Sequence, residues 1–285
     1  MRANDGRAMG AFMKFIVGAY AATPSHSEFK IAQESHFYEY LRAHPLVRGL
    51  EIPYTGSFHA FDKDWFYQQI NPEWENVVTS IPGVMQRLNK NPDFGLASKA
   101  RTDRNQAIDF VRDLKANVED MHRTLNVQTV RYVELHTAPA IGPGIRSSKE
   151  SLADSLEEIR GWDWKGVTLT IEHCDAGGLR YPPSKGFLPI EDEIWAIHAT
   201  DRFRTPTGIT INWARSVLET RRPENAIDHI ELCKKHNLMT GMMFSGIAEC
   251  DSDYGEWIDS HTPFKKIGQM EKFCSNSLLG EDHIG

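Results

Sequence analysis

The chain has 285 residues, with 32 Lys plus Arg against 39 Asp plus Glu, a formal charge of −7 and 40% hydrophobic residues. That length exceeds a disulfide-stapled miniature and can bury a sizeable core, as in one large α/β barrel of roughly 250 residues. The acidic balance argues against nucleic-acid binding, which needs a basic footprint, and the longest apolar runs, such as Phe15 to Ala22, fall far short of the roughly 20 residues of a membrane span.

Residues 1–12 carry Arg2, Asp5 and Arg7 with no apolar h-region, so they read as a disordered leader rather than a secretory signal. The first strand is expected over Phe15–Ala21, and a helix from about Ser27, its candidate N-cap, to Ala43. Gly49–Pro53 reads as a second strand and Asn76–Ile81 as a third. A helix is predicted over 104–125, where Ile108, Val111, Leu114, Val118 and Met121 recur at spacings of three and four. Thr129–His136 is the fourth strand. Ser147 to Arg160 is a helix with Ser148 and Ser151 as caps. Gly166–Ile171 is the fifth strand, a helix lies within Pro189–Thr200, and Gly208–Asn212 is the sixth strand. Pro223 opens a helix to His236, and Leu238–Phe244 is the seventh strand. Phe264–Leu279 reads as a helix, and no β-branched run remains for an eighth strand.

This alternation of strand and helix predicts a parallel α/β fold, a (β/α)8-type barrel lacking a recognisable eighth strand, in one domain over 13–285. Seven strands alone would leave two free edges, so the expectation is a shortened chain, or a gap covered by another segment or subunit. The four Cys, at 174, 233, 250 and 274, form no CxxC pair and read as reduced thiols of a cytoplasmic protein.

In such a barrel the chemistry sits where strands end, and the ends here are polar. Strand two carries Glu51, strand four Glu134 and His136, strand five Glu172, His173 and Asp175, strand six Asn212 and Arg215, and strand seven Ser245. A loop beyond holds Asp259 and His261. Glu172, directly after Leu-Thr-Ile, is costly to bury without a partner. Its alternatives are a site role or an ion pair with an arginine. Strict alternation would point His173 away from Glu172. Carboxylates and imidazoles together can hold a divalent cation: Mn²⁺, Mg²⁺ or Co²⁺ with oxygen ligands, Zn²⁺ with more His. Glu172, His136, Asp259 and His261 are the candidate ligands. Glu172 and His136 are the candidate catalytic groups, by proton transfer beside a polarised carbonyl. Glu51, Asn212, Trp213, Arg215, Phe244 and Ser245 are candidate substrate contacts.

Three short stretches resemble the xylose-isomerase-like TIM-barrel superfamily. Leu135-His136-Thr137-Ala138-Pro139 looks like its fourth-strand His motif, Ile171-Glu172-His173 like its fifth-strand metal glutamate, and Asp259-Ser260-His261 like its Asp-x-His pair. Gly208-Ile209-Thr210-Ile211-Asn212-Trp213-Ala214-Arg215-Ser216 and Gly241-Met242-Met243-Phe244-Ser245-Gly246 resemble an uncharacterised bacterial branch of it. The resemblance implies a sugar or sugar-phosphate isomerase or epimerase, metal-assisted, with a small-molecule substrate and a homo-oligomeric state. The alternatives are a non-catalytic carbohydrate-binding barrel and a metal-dependent phosphodiesterase. The sequence departs from the pattern at strand six, where Asn212 and Arg215 stand in place of an Asp and a His, and at strand seven, which ends in Phe244-Ser245 rather than His. Either a reduced set such as Glu172, His136 and His261 holds the metal, or Arg215 takes the cation's space and binds an acidic substrate group.

Overall fold

The structure is a computed structural model that describes residues 14–144, 146–203, 205–265, 276–280 and 283. The strands are β1 Phe15–Val17, β2 Val47–Pro53, β3 Asn76–Thr79, β4 Val130–Leu135, β5 Thr168–His173, β6 Thr207–Asn212 and β7 Met239–Met243. They form one sheet in chain order, each paired in parallel with the next. The connections carry α1 Ile31–Ala43, α2 Lys63–Gln69, α3 Ile81–Leu88, α4 Arg101–Leu125, α5 Lys149–Arg160, α6 Ile190–Ala199, α7 Trp213–Thr220 and α8 Glu224–Lys235. Parallel neighbours need crossovers, and helices in them give the TIM-type α/β arrangement.

Side-chain alternation divides each strand between two environments. Val133 and Leu135 of β4, Leu169 and Ile171 of β5, and Ile209 and Ile211 of β6 are fully buried in the main hydrophobic cluster. Leu114 and Met121 of α4 and Leu152, Leu156 and Ile159 of α5 belong to the same cluster. Each such Leu or Ile contributes about 1.5–3 kcal/mol relative to exposure. The intervening positions turn the other way, into a polar barrel interior. There Thr170 Oγ1 meets Thr210 Oγ1 at 3.0 Å and Thr240 Oγ1 at 2.6 Å.

Several boundaries differ from the sequence reading, each for a local reason. The first strand stops at Val17, and a 3₁₀ turn over Ala19–Ala22 follows. A Cβ on Gly18 would stand 2.9 Å from Glu51 Oε2, so the glycine makes room for that carboxylate. The first helix starts at Ile31, not Ser27, and it is Ser25 Oγ that accepts the Lys30 N–H. The fifth strand runs two residues later than expected, after a turn in which Lys165 and Gly166 have positive φ. Ser148 does cap α5, accepting from Ser151 N–H at 3.2 Å. The helices α2, α3 and α7 were not foreseen. α7 follows β6 without a loop, because the Asn212 side chain accepts the Arg215 N–H and starts the helix at once.

Among the described residues no eighth parallel strand occurs. Beyond β7, Gly246 bridges Thr262 and Ala248 bridges Ser277, both antiparallel. The edge strands are the least covered: Phe15 and Ile16 of β1 are exposed, and every residue of β7 is half-buried. The leader (1–12) and most of the helix expected over Phe264–Leu279, with Cys274, lie outside the described residues. Cys174, Cys233 and Cys250 are free thiols. No helix among the described residues is long and apolar enough to cross a membrane.

Candidate active site

The strand ends converge on Glu172. One of its oxygens accepts from Arg215 Nη1 at 2.5 Å and from Asn212 Nδ2 at 2.9 Å, while the other meets His136 Nε2 at 2.7 Å. All four side chains are buried. The His136 ring is held from behind by Ser80 Oγ, 2.9 Å from Nδ1. Ser80 Oγ is 2.9 Å from the Glu134 carbonyl. Asn212 Oδ1 accepts from Ser245 Oγ at 2.7 Å. Arg215 continues to Asp259, Nε to Oδ2 at 3.0 Å, and Lys185 Nζ reaches the same oxygen at 3.0 Å. The arginine ion pair considered for Glu172 is therefore present, inside the candidate site.

Three acids share this space with sharply different protonation. Burial alone would raise Glu172, but Arg215, His136 and Asn212 outweigh it and hold the carboxyl well below the usual range. Burial and the Glu172 charge push Glu51 up to about 8, against the pull of Arg215. Burial, with Glu172 and Glu51, pushes Glu134 well above its ordinary value. Its Oε2 has no hydrogen-bond partner among the described residues. His136 is lowered by burial, more than Glu172 raises it. The Tyr20 phenol is also raised, by burial and then by Glu51 and Glu172.

Glu51 borders a cavity of about 270 Å³ between the β1–α1 connection, α1 and the loop after β2. Tyr38, Phe58, Phe61 and Phe66 give it aromatic walls, and Ser25 and Thr55 add hydroxyls. Glu34 and His59 meet at 3.3 Å on its far side.

The other predicted residues are spread more widely. Trp213 is fully buried in a second hydrophobic cluster with Val217, Leu218, Ile247 and Leu279, against which Phe244 packs. Its indole is packed rather than presented to a cavity. The His261 side chain is half exposed and comes no nearer to Asp259 than 3.9 Å. Sequence reasoning left Cys174, Tyr20 and Lys185 out of the site and named Glu134 only as a strand-end residue without a role. Glu134 carried a signal, since it lies two residues before His136 and so shares its face of β4.

Sulfur, nitrogen and oxygen donors of Cys174, His136 and Glu172 lie within 4.8 Å of one another, a set that could hold a metal ion. As arranged, the set suits a guanidinium better. Arg215 Nη1 lies 2.5 Å from Glu172 Oε1 and 3.2 Å from Cys174 Sγ, facing both donors. Burial also raises the Cys174 thiol well above its ordinary value. A cation here would have to displace a buried arginine.

β5 also presents a second network on its other face. His173 Nδ1 meets Glu193 Oε2 at 2.8 Å and its Nε2 meets Glu219 Oε1 at 3.2 Å. Burial would lower His173, but Glu193 and Glu219 raise it to about 10.

A family model described as "Domain of unknown function (DUF4862)" matches residues 16–285. A Salmonella typhimurium protein, uncharacterized protein STM3670, is 35% identical over 272 residues, covering 95% of this chain and 83% of its own. Among solved structures, a protein of Rhodospirillum rubrum provisionally named a xylose isomerase aligns with a TM-score of 0.58 at 12% identity, over 90% of this chain and 83% of the other. An L-ribulose 3-epimerase aligns with a TM-score of 0.51 at 13% identity, over 84% of this chain and 73% of the other. The fold is that of the xylose-isomerase-like barrels.

Proposed function

The chain belongs to the DUF4862 family, and from that premise and the geometry of its strand ends we propose a sugar isomerase or epimerase that moves a proton next to a carbonyl. The observation that carries this reading is the split between two neighbouring carboxyls. Glu172 is fixed as an anion by Arg215, and Glu51, at the cavity, keeps its proton up to about pH 8. Environments that drive two acids apart provide a proton donor and a permanent charge in one site.

Glu51 is the group that meets substrate. In its protonated form it donates to the carbonyl oxygen while the Glu34 carboxylate, on the same cavity and with its Oε2 unpartnered among the described residues, takes the proton of the adjacent carbon, giving a neutral enediol. Return of a proton to the neighbouring carbon yields the isomer, and return to the opposite face yields the epimer. Glu172 and His136 act behind it. The Glu172 charge keeps Glu51 protonated, and Ser80 and His136, in a chain with links of 2.9 and 2.7 Å, hold that carboxylate in place. Arg215 stands at the carboxylate in the cation's role, so no step requires a metal.

The cavity also narrows the substrate class. Its walls are aromatic and hydroxylic, and no Lys or Arg lines it among the described residues. Aromatic faces stack on the C–H faces of a sugar, whereas a phosphate calls for a cation. The substrate is therefore an unphosphorylated sugar. The fully paired state of Glu172 favours one second reading, a carbohydrate-binding barrel without turnover.

Incubation of the purified protein with a panel of free and phosphorylated aldoses and ketoses in deuterium oxide separates these. NMR should show deuterium entering beside the carbonyl of a free sugar. Glu51→Gln should slow that exchange about 10²–10⁴-fold with the fold retained. Saturable sugar binding with no exchange would favour the binding barrel. Neither binding nor exchange would sink both readings.

A further inference from the structure

We propose that the outer face of β5 carries a second, separate site, in which His173, Glu219 and His229 hold a zinc-type divalent cation between β5, α7 and α8. The three side chains come from the end of β5, the last turn of α7 and the middle of α8. One donor atom from each lies within 4.8 Å of the others. His173 is completely buried and His229 nearly so, while Glu219 keeps slight contact with solvent.

The orientation of the two rings is the stronger argument. His173 Nδ1 is engaged by Glu193 Oε2 at 2.8 Å, and Glu193 is fixed in turn by Thr137 Oγ1 at 2.9 Å. His229 Nδ1 is engaged by Ser216 Oγ at 3.0 Å. Each imidazole thus spends Nδ1 on an outer partner and turns Nε2 toward the same carboxylate, at 3.2 Å for His173 and 3.4 Å for His229. A carboxylate or hydroxyl behind a histidine, fixing its ring and tautomer, is the arrangement that surrounds metal-bound imidazoles. Glu219 is positioned too, since its Oε1 accepts the Ala176 N–H at 2.8 Å. Asn225 Nδ2 lies 3.3 Å from His229 Nε2 and 3.4 Å from Glu219 Oε2, so it would have to turn aside when the ion enters.

Spacing and charge agree. Tetrahedral bonds of about 2.0–2.1 Å place neighbouring donors roughly 3.3 Å apart, close to the separations of His173 Nε2 from Glu219 Oε1 and of His229 Nε2 from Glu219 Oε2. Two carboxylates, Glu193 and Glu219, flank the His173 ring. When a divalent ion binds, His173 Nε2 gives its proton to solvent and its lone pair to the ion. Two carboxylates then balance two positive charges. Two nitrogens and one carboxylate suit Zn²⁺ and leave out Ca²⁺ and Mg²⁺, which take oxygen sets.

The test uses the full chain after chelator treatment. Calorimetric titration with Zn²⁺ should give one equivalent bound, and titration with Co²⁺ should give the visible absorption of a tetrahedral nitrogen and oxygen set with no thiolate charge-transfer band. A thiolate band would put the ion on a cysteine and overturn the proposal, as would absence of stoichiometric binding. His229→Gln should weaken Zn²⁺ binding about 10–100-fold, whereas Cys174→Ser should leave it unchanged. The reverse pattern would also overturn it. The Co²⁺ spectrum of the unaltered protein decides the matter even where a variant fails to fold.

Discussion

Glu172 and His173 are adjacent in the chain and face opposite sides of β5, and the two networks they anchor solve the same problem differently. On the inner side, Glu172 receives Arg215, Asn212 and His136, and is left with a fixed negative charge. Its neighbours Glu51 and Glu134 then keep their protons. On the outer side, the imidazole itself takes the positive charge and divides it between Glu193 and Glu219. The inner solution leaves acids in unusual protonation states, one of them beside a cavity, and the outer one holds its charges within a closed network.

The largest effect should come from removing the inner anion. Glu172→Ala strands the buried Arg215 and should cost about 3–5 kcal/mol in urea unfolding, the penalty of an uncompensated buried charge. A loss below about 1 kcal/mol would mean that Asp259 alone satisfies the guanidinium. On the outer side Glu193→Gln keeps the shape but removes a charge-assisted bond, and about 1.5–3 kcal/mol should be lost. If the outer loss exceeded the inner one, the contrast between the networks would be reversed.

A titration of stability sharpens the comparison further. An ordinary carboxyl releases its proton near 4.5, whereas Glu51 holds it to about 8. Between those values the native state binds a proton that the unfolded chain has lost, so this group lowers stability as pH rises from about 4.5 to 8. Glu172 acts in the opposite sense: its contribution is present above its unfolded value and is lost as pH falls. Chemical denaturation at stepped pH should show the first slope in the native sequence and a flatter curve in Glu51→Gln. An unchanged curve would remove Glu51 as the titrating group. The smallest effect is expected at Gly18. A methyl there meets the end of the Glu51 side chain rather than backbone, so Gly18→Ala should cost under about 1 kcal/mol. The same change should move the midpoint of that pH dependence, and a fixed midpoint would show that the close approach is unimportant.

Much of the scaffold was legible because periodicity is a local property. The stripe of α4, the Ser148 cap and seven strands in order all follow from residues a few positions apart. The short helices α2, α3 and α7 were not legible, since seven or eight residues carry too little pattern and α7 depends on one Asn212 cap. The candidate site was legible as a set of strand ends and a loop carboxylate, and Glu172, His136, Asn212, Arg215 and Asp259 do come together. His261 and Trp213 show the limit of that reading: a loop position and a strand-end aromatic can face solvent or core with equal ease.

The sequence by itself determined which residues stand at the ends of β2, β4, β5 and β6, because alternation along a strand and a short turn after it leave little choice. It also determined that Glu172 and His173 diverge. Which partner each one meets was decided only by the tertiary structure. Arg215 had to arrive from α7, Glu219 from the end of that same helix and Glu193 from α6, before either charge could be assigned. Protonation depends on the distances between groups far apart in the chain, and those distances exist only once the sheet has brought its strand ends together.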